Sequence, residues 1–328
     1  MGVVLFMKKL SIEDFNQIRS WMYRNARQLE LAIWQYYFEN GSKEAVLSAL
    51  SLYRNEDGGF GHALEADSWN PNSSPYTTLR ATNILDSIDF NDKNHPMIKG
   101  IFEFFDSTVY YSENGWYFNI PSNDDYAHAP WWTHNMEANL TEGIGLTAQI
   151  ASFILKSADK KSELFNKAIL FSHRIFDKLN TTNEYGDMGL GGFCELLDTV
   201  EKAGLKEHFD LNPLTVKIKK LVHNSIERDT AKWLYYTRRP SDYIKSPDSI
   251  FYEENKDIVQ TELDYLITTR PQNGVWNITW SWFENNEKYA KEFAISENWW
   301  KATKAIETIN FLKSFNWLED SVSQIINS

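Results

Sequence analysis

Apolar positions recur at helical spacing almost from the start of this chain. Phe15, Ile18, Met22, Leu29, Ile33 and Tyr36 follow one another at intervals near three, four or seven. Ser11 and Asp14 resemble a capping box in which Asp replaces the usual Glu or Gln. The pattern predicts a helix from Ser11 to a stop at Gly41. Ser42 then caps a second helix through Ala45, Ala49 and Leu52, followed by the glycine loop RNEDGGFG, Arg54 to Gly61. A third helix opens at Ser74-Pro75, because Ser caps and Pro at the first helical position gives up only an N–H that has no partner. Its buried stripe is Ala81, Ile84, Leu85 and Ile88. A further apolar helix, Gly100 to Val109, runs into SENGW, Ser112 to Trp116.

The sequence of helix, glycine and aromatic returns twice. It recurs at Gly189-Leu190-Gly191-Gly192-Phe193 after a helix near Phe165 to Leu179, and at RPQNGVW, Arg270 to Trp276, after a helix near Ile258 to Thr268. Ser296-Glu297 then caps a last helix with the stripe Ala302, Ala305, Ile306, Ile309 and Leu312. Room for short hairpin pieces exists at Ile120 to Pro130 and Trp276 to Phe283. Phe60, Trp116, Phe193 and Trp276 are irregularly spaced, yet they fit a helix-pair unit of roughly 50 residues with some units degenerate. Such units bury their faces only by stacking. No Pro/Gly/Ser linker interrupts them, so the expectation is an all-α chain whose 328 residues form one domain curled into an α/α barrel.

Composition narrows the partners. Hydrophobic residues make up 42% and aromatics 15%, enough apolar surface to offset ordering entropy. The formal net charge is −12, with acids scattered along the chain. Nucleic acid is therefore an unsuitable partner, and the densest basic stretch, Lys217, Lys219 and Lys220, reads as the solvated face of a helix. Cys194 is the single cysteine, which excludes an intrachain disulfide and a thiolate metal cluster. The early apolar run, Val3 to Met7, is shorter than a signal core or a membrane span, so a cytoplasmic protein is expected.

Two segments carry a family resemblance. DYLITTRPQNGVW, Asp264 to Trp276, is similar to the QW repeat of squalene and other triterpene cyclases, and LYRNEDGGFG, Leu52 to Gly61, resembles the corresponding repeat of those enzymes and of protein prenyltransferase β subunits. NEDGGFGHALEAD also resembles a group of bacterial cyclase-like proteins. The resemblance implies the (α/α)6 toroid of the terpenoid cyclase and prenyltransferase superfamily. It also implies a structural role for Gly58, Gly59, Phe60, Gln272, Gly274 and Trp276, with the aromatic wedged between helices. The family's reactive motifs are missing: neither DxDD nor DDxxD occurs, and Cys194 lacks the Asp of a zinc-binding DxC setting.

Candidate chemistry lies in two polar loops. In the first, Glu56 and Asp57 are candidate ligand contacts, and Glu65 and Asp67, tuned by His62, suit general acid/base work or cation stabilisation; otherwise they cap the loop before Ser74. In the second, Asp124, Asp125 and His128 either share a proton and hold a cation or form a solvated turn. No metal is predicted, since neither string has a specific ligand spacing, and no cofactor is. Trp131, Trp132, Trp280 and Trp282 line an apolar cavity whose ring faces stabilise a cation, stack on sugar rings, or belong to the core. The leading expectation is a terpenoid-cyclase-like protein that binds or transforms an isoprenoid or other hydrophobic ligand. The alternatives are a carbohydrate-active enzyme with paired carboxylates at the barrel mouth and a non-catalytic scaffold.

Overall fold

A computed structural model describes residues 8–107, 109–272 and 274–326. The run Val3 to Met7 lies outside the described residues. Among those described, helix dominates, and the fold class is all-α. In chain order the helices are α1 Ile12–Asn25, α2 Gln28–Phe38, α3 Lys43–Ser51, α4 Pro75–Ser87, α5 Pro96–Asp106, α6 Met136–Ser157 and α7 Glu163–Thr181. They continue with α8 Gly186–Lys202, α9 Leu211–Ser225, α10 Pro240–Tyr243, α11 Lys256–Thr269, α12 Asn285–Lys288, α13 Ala290–Ser314 and α14 Asp320–Ile326. The described strands are β1 Tyr111–Ser112 and β2 Gly115–Trp116, an antiparallel hairpin. No described helix is long and apolar enough to cross a membrane.

Contacts gather into two compact units. The first holds the described residues of Met1–Ala49, Val222–Ser281 and Phe293–Ser328, and the second holds Leu50–Leu221 with Trp282–Glu292. In the first, α1, α2 and α14 pack together. Phe15 stacks on Trp34 at 5.5 Å, and Trp34 meets Phe38 at 4.7 Å. Leu10 donates to the Trp317 carbonyl and accepts from Glu319 N–H, which ties the two ends of this unit's chain together. The second unit is built around α6, α7 and α8.

Local chemistry explains most boundaries. Ser11 accepts from Asp14 N–H and Ser74 from Thr77 N–H, with Pro75 at the first helical position of α4. Each such cap is worth about 1 kcal/mol. The predicted run from Ser11 to Gly41 is two helices, because Ala26 and Arg27 are extended. Arg27 is held there by an ion pair to Glu30 at 2.7 Å and by the Trp299 ring, 4.7 Å away. The helix predicted at Gly100 to Val109 begins earlier, where His95 caps and Pro96 opens α5.

Three further expectations are corrected. Gly189 to Phe193 is not a loop but lies within α8. There, Gly192 packs so tightly on Gly145 of α6 that a β-carbon would overlap its backbone. Ser296 is not a cap but a buried residue inside α13, whose helix-favouring Ala, Lys and Glu extend upstream to Ala290; the stripe Ala302 to Leu312 is buried as predicted. Ile120 to Pro130 and Trp276 to Phe283 form no described strand. Pro121 and Pro130 each open a short 3-10 turn instead, consistent with their missing donors.

At the remaining glycine loops the aromatics Phe60, Trp116 and Trp276 are buried. Gly58, at φ +85°, lies against the Gly100 backbone where no side chain fits. The Trp116 indole donates to the Phe105 carbonyl at 3.2 Å and the Trp276 indole to the Leu266 carbonyl at 2.8 Å, so each ring fastens its loop to the end of the preceding helix.

Candidate functional site

The second unit brings three distant stretches of chain together around two acids. Residues 62–73 leave the glycine loop with His62 and Ala63 both at positive φ, and then turn into α4. Ser68 bridges His128 in antiparallel fashion. Trp69 N–H donates to the Ala127 carbonyl at 2.8 Å and Ala129 N–H to the Asp67 carbonyl at 2.9 Å. Asn70 extends this seam by donating to Asn123 Oδ1 and Ser122 Oγ. The third stretch, beginning at Trp282, docks on the first two through side chains.

Glu65 and Asp67 are each only 2% exposed. Burying a carboxylate is costly unless donors or cations surround it, and both acids have them. Asp67 Oδ1 accepts the Trp282 indole N–H at 2.6 Å. Arg80, on α4, faces Glu65 with Nε 3.6 Å from Oε2. Asp67 N–H also lies 3.4 Å from Glu65 Oε1, so the two acids share one turn of backbone.

His128 is buried beside them. Its Nδ1 is 2.7 Å from the Tyr126 carbonyl, which accepts only, so Nδ1 carries the proton. Nε2, 3.1 Å from Thr133 Oγ1, is then the acceptor of the hydroxyl in the neutral ring. The His128 carbonyl accepts from Asn285 Nδ2 at 2.8 Å, and the Tyr289 ring lies 6.2 Å from the imidazole.

One turn before Arg80 on α4, Tyr76 begins a group of rings. Its centroid is 4.4 Å from Trp132 and 5.4 Å from Phe118, and Trp132 stacks on Phe118 at 4.7 Å. The Trp132 indole nitrogen is buried with no hydrogen-bond partner among the described residues.

The structure thus joins Glu65, Asp67, His128, Trp132 and Trp282. The other expected site residues have different surroundings. His62 is exposed, its Nε2 2.8 Å from Asn55 Oδ1. Glu56 and Asp57 are exposed, and Asp57 braces its own loop by accepting from Gly59 N–H and Ser73 Oγ. Asp124 and Asp125 sit on the exposed 3-10 turn, where Asp124 accepts from His134 N–H. Trp131 is half-buried, 6.5 Å from the Phe283 ring. Trp280 groups with the first unit, packed against Trp300 at 5.3 Å and Tyr236 at 6.3 Å. Among the described residues no group of three or more His, Cys, Asp or Glu side chains is arranged to hold a metal ion.

Sequence reading missed Arg80, Asn285 and Tyr289. Arg80 carried a signal, being the one basic residue in a helix otherwise of Thr, Leu, Ala and other uncharged residues apart from Asp86. Asn285 carried none, since its role depends on a contact 157 residues away. Comparison with protein-family models, with curated proteins and with solved structures finds no match to this chain.

Proposed function

We propose that the chain is a terpenoid-cyclase-like protein that binds or transforms an isoprenoid or other hydrophobic ligand at the site of Glu65 and Asp67. The observation that carries this reading is the burial of both acids, each 2% exposed, with Glu65 paired to Arg80 one turn along α4 from Tyr76, which packs on Trp132 and Phe118. Buried acids on a site that shares helix α4 with a ring group suit a ligand in which positive charge develops, because carboxylates and ring faces both attract a cation. A glycan calls for carboxylates on the walls of an open groove, which buried acids do not offer. The buried aromatics of the glycine loops, Phe60, Trp116 and Trp276, support the family resemblance and, through it, an (α/α)6 toroid.

In this reading Asp67 and Glu65 supply the acid/base or cation-stabilising groups, Arg80 and Trp282 hold them in place, and His128 orients the adjoining loop. The test is mass spectrometry of molecules that copurify with the wild type and with the Glu65→Gln, Asp67→Asn double variant, which keeps side-chain shape and removes both acids. Alongside it, prenyl diphosphates, squalene-type chains and oligosaccharides are offered to each form. The expected outcome is an apolar ligand on the wild type that the double variant loses or retains unreacted. The same ligand on both forms with no turnover by either would remove the acids from catalysis, and turnover of oligosaccharides alone would reverse the choice of substrate class.

A further inference from the structure

The segment that supplies Trp282 is built unlike the rest of the second unit. Trp282–Glu292 joins that unit although the chain on either side, up to Ser281 and from Phe293, groups with the first. From Trp282 to Tyr289 only Trp282 is buried. The regular structure in this stretch is α12, a single turn with no buried residue. Phe283 lies at φ +48° with 62% of its surface exposed, an unfavourable conformation for an aromatic residue. Tyr289, at φ −127° and ψ 43°, breaks the path between α12 and α13.

Phe283 meets the Trp131 ring at 6.5 Å, and three further fastenings fall on the candidate site itself. Trp282 Nε1 donates to Asp67, Asn285 Nδ2 donates to the His128 carbonyl, and the Tyr289 ring faces the His128 ring. Within the segment, Asn286 Oδ1 accepts from Trp282 N–H at 2.7 Å and Trp282 O accepts from Asn285 N–H at 2.9 Å, so it holds its own shape. A stretch with one buried anchor and polar links to its neighbour opens as a local unit at a cost well below that of global unfolding.

We propose that Trp282–Tyr289 is a strap over the acid site and that Asp67 is its latch, so that release of the Trp282 indole from Asp67 is the opening step that admits a ligand. The identity of that ligand rests on the functional reading above; the opening itself does not. A ligand group that meets Asp67 displaces the indole, which couples occupancy of the site to the position of the strap.

Hydrogen exchange of the whole chain, read by mass spectrometry across a series of low urea concentrations, tests this. In the wild type, amides of 283–289 are expected to exchange by an opening nearly independent of urea, while those of α6 follow global unfolding with its steep urea dependence. Trp282→Phe keeps a ring and removes the donor; it should speed exchange at 283–289 by roughly tenfold or more, with α6 unchanged. Asn285→Ala should speed the same amides by a few fold. If Trp282→Phe does not fold, the wild-type urea series and Asn285→Ala decide. Strap amides that share the urea dependence of α6, or variants that loosen α6 equally, would overturn the proposal. A strap that opens in a protein carrying no hydrophobic ligand would leave this inference standing and count against the functional one.

Discussion

Each compact unit buries acids, and the two units solve the problem differently. In the second, Asp67 takes its donor from Trp282, 215 residues along the chain, and Glu65 is answered by a cation on a neighbouring helix. In the first, Glu262 on α11, 1% exposed, takes both donors from Ser241, 21 residues before it, whose N–H and O–H lie 2.7 and 2.6 Å from its oxygens. Burial is the largest influence and, with Asp242 acting in the same direction, it outweighs the two Ser241 hydrogen bonds and the attraction of Arg239, pushing the Glu262 carboxyl up to about 7. One site is assembled from three remote stretches and joined by a latch. The other is local, and its buried charge is relieved by taking up a proton. Long-range assembly of acids beside rings is the more informative arrangement, since local capping of Ser241 and the start of α10 already accounts for Glu262.

Substitutions separate the two. The largest effect is expected at the latch: Trp282→Ala removes a fully buried ring and the donor to Asp67, and should cost about 3–5 kcal/mol in chemical denaturation. A loss below about 1 kcal/mol would mean that the docked segment contributes little to the second unit. For Glu262 the expectation is a pH slope. Between 4.5 and about 7 the folded state holds more protons than the unfolded one, so the stability due to the acid's protonation is present below 4.5 and is lost as pH rises through 7. That loss amounts to about 3 kcal/mol at most, and Glu262→Gln should flatten it; parallel pH profiles for the two proteins would contradict the buried-acid account. The smallest effect is expected for Ser241→Ala, which leaves one donor in place and should cost about 1 kcal/mol at pH 8 and less at pH 5, measured by urea midpoints.

Local signals were legible in the sequence and remote ones were not. Ser74-Pro75 announced α4 because cap and first turn are adjacent in the chain, and Ala302 to Leu312 announced the buried face of α13 for the same reason. Gly189 to Phe193 misled, since glycines that permit the close approach of α8 to α6 are written with the same letters as glycines that permit a turn. Helix α6 was missed behind its own Gly143 and Gly145, the second of which is there for that same approach. At the site, the density of acids in residues 56–67 marked Glu65 and Asp67 as acid/base candidates and Glu56 and Asp57 as ligand contacts, yet spacing did not show that the first pair is buried and the second exposed. Sorting them depends on Arg80 and Trp282, partners chosen by the fold rather than by spacing.

The central claim is that Asp67 and Trp282 are coupled, and a double-mutant cycle measures this directly. Asp67→Ala, Trp282→Phe and the double variant are each unfolded in urea and compared with the wild type. The account predicts a coupling energy of about 1.5–3 kcal/mol, the worth of a hydrogen bond to a buried charge. Effects that add to within about 0.5 kcal/mol would show that the two residues act independently, and would leave the acid site without the bond that closes it.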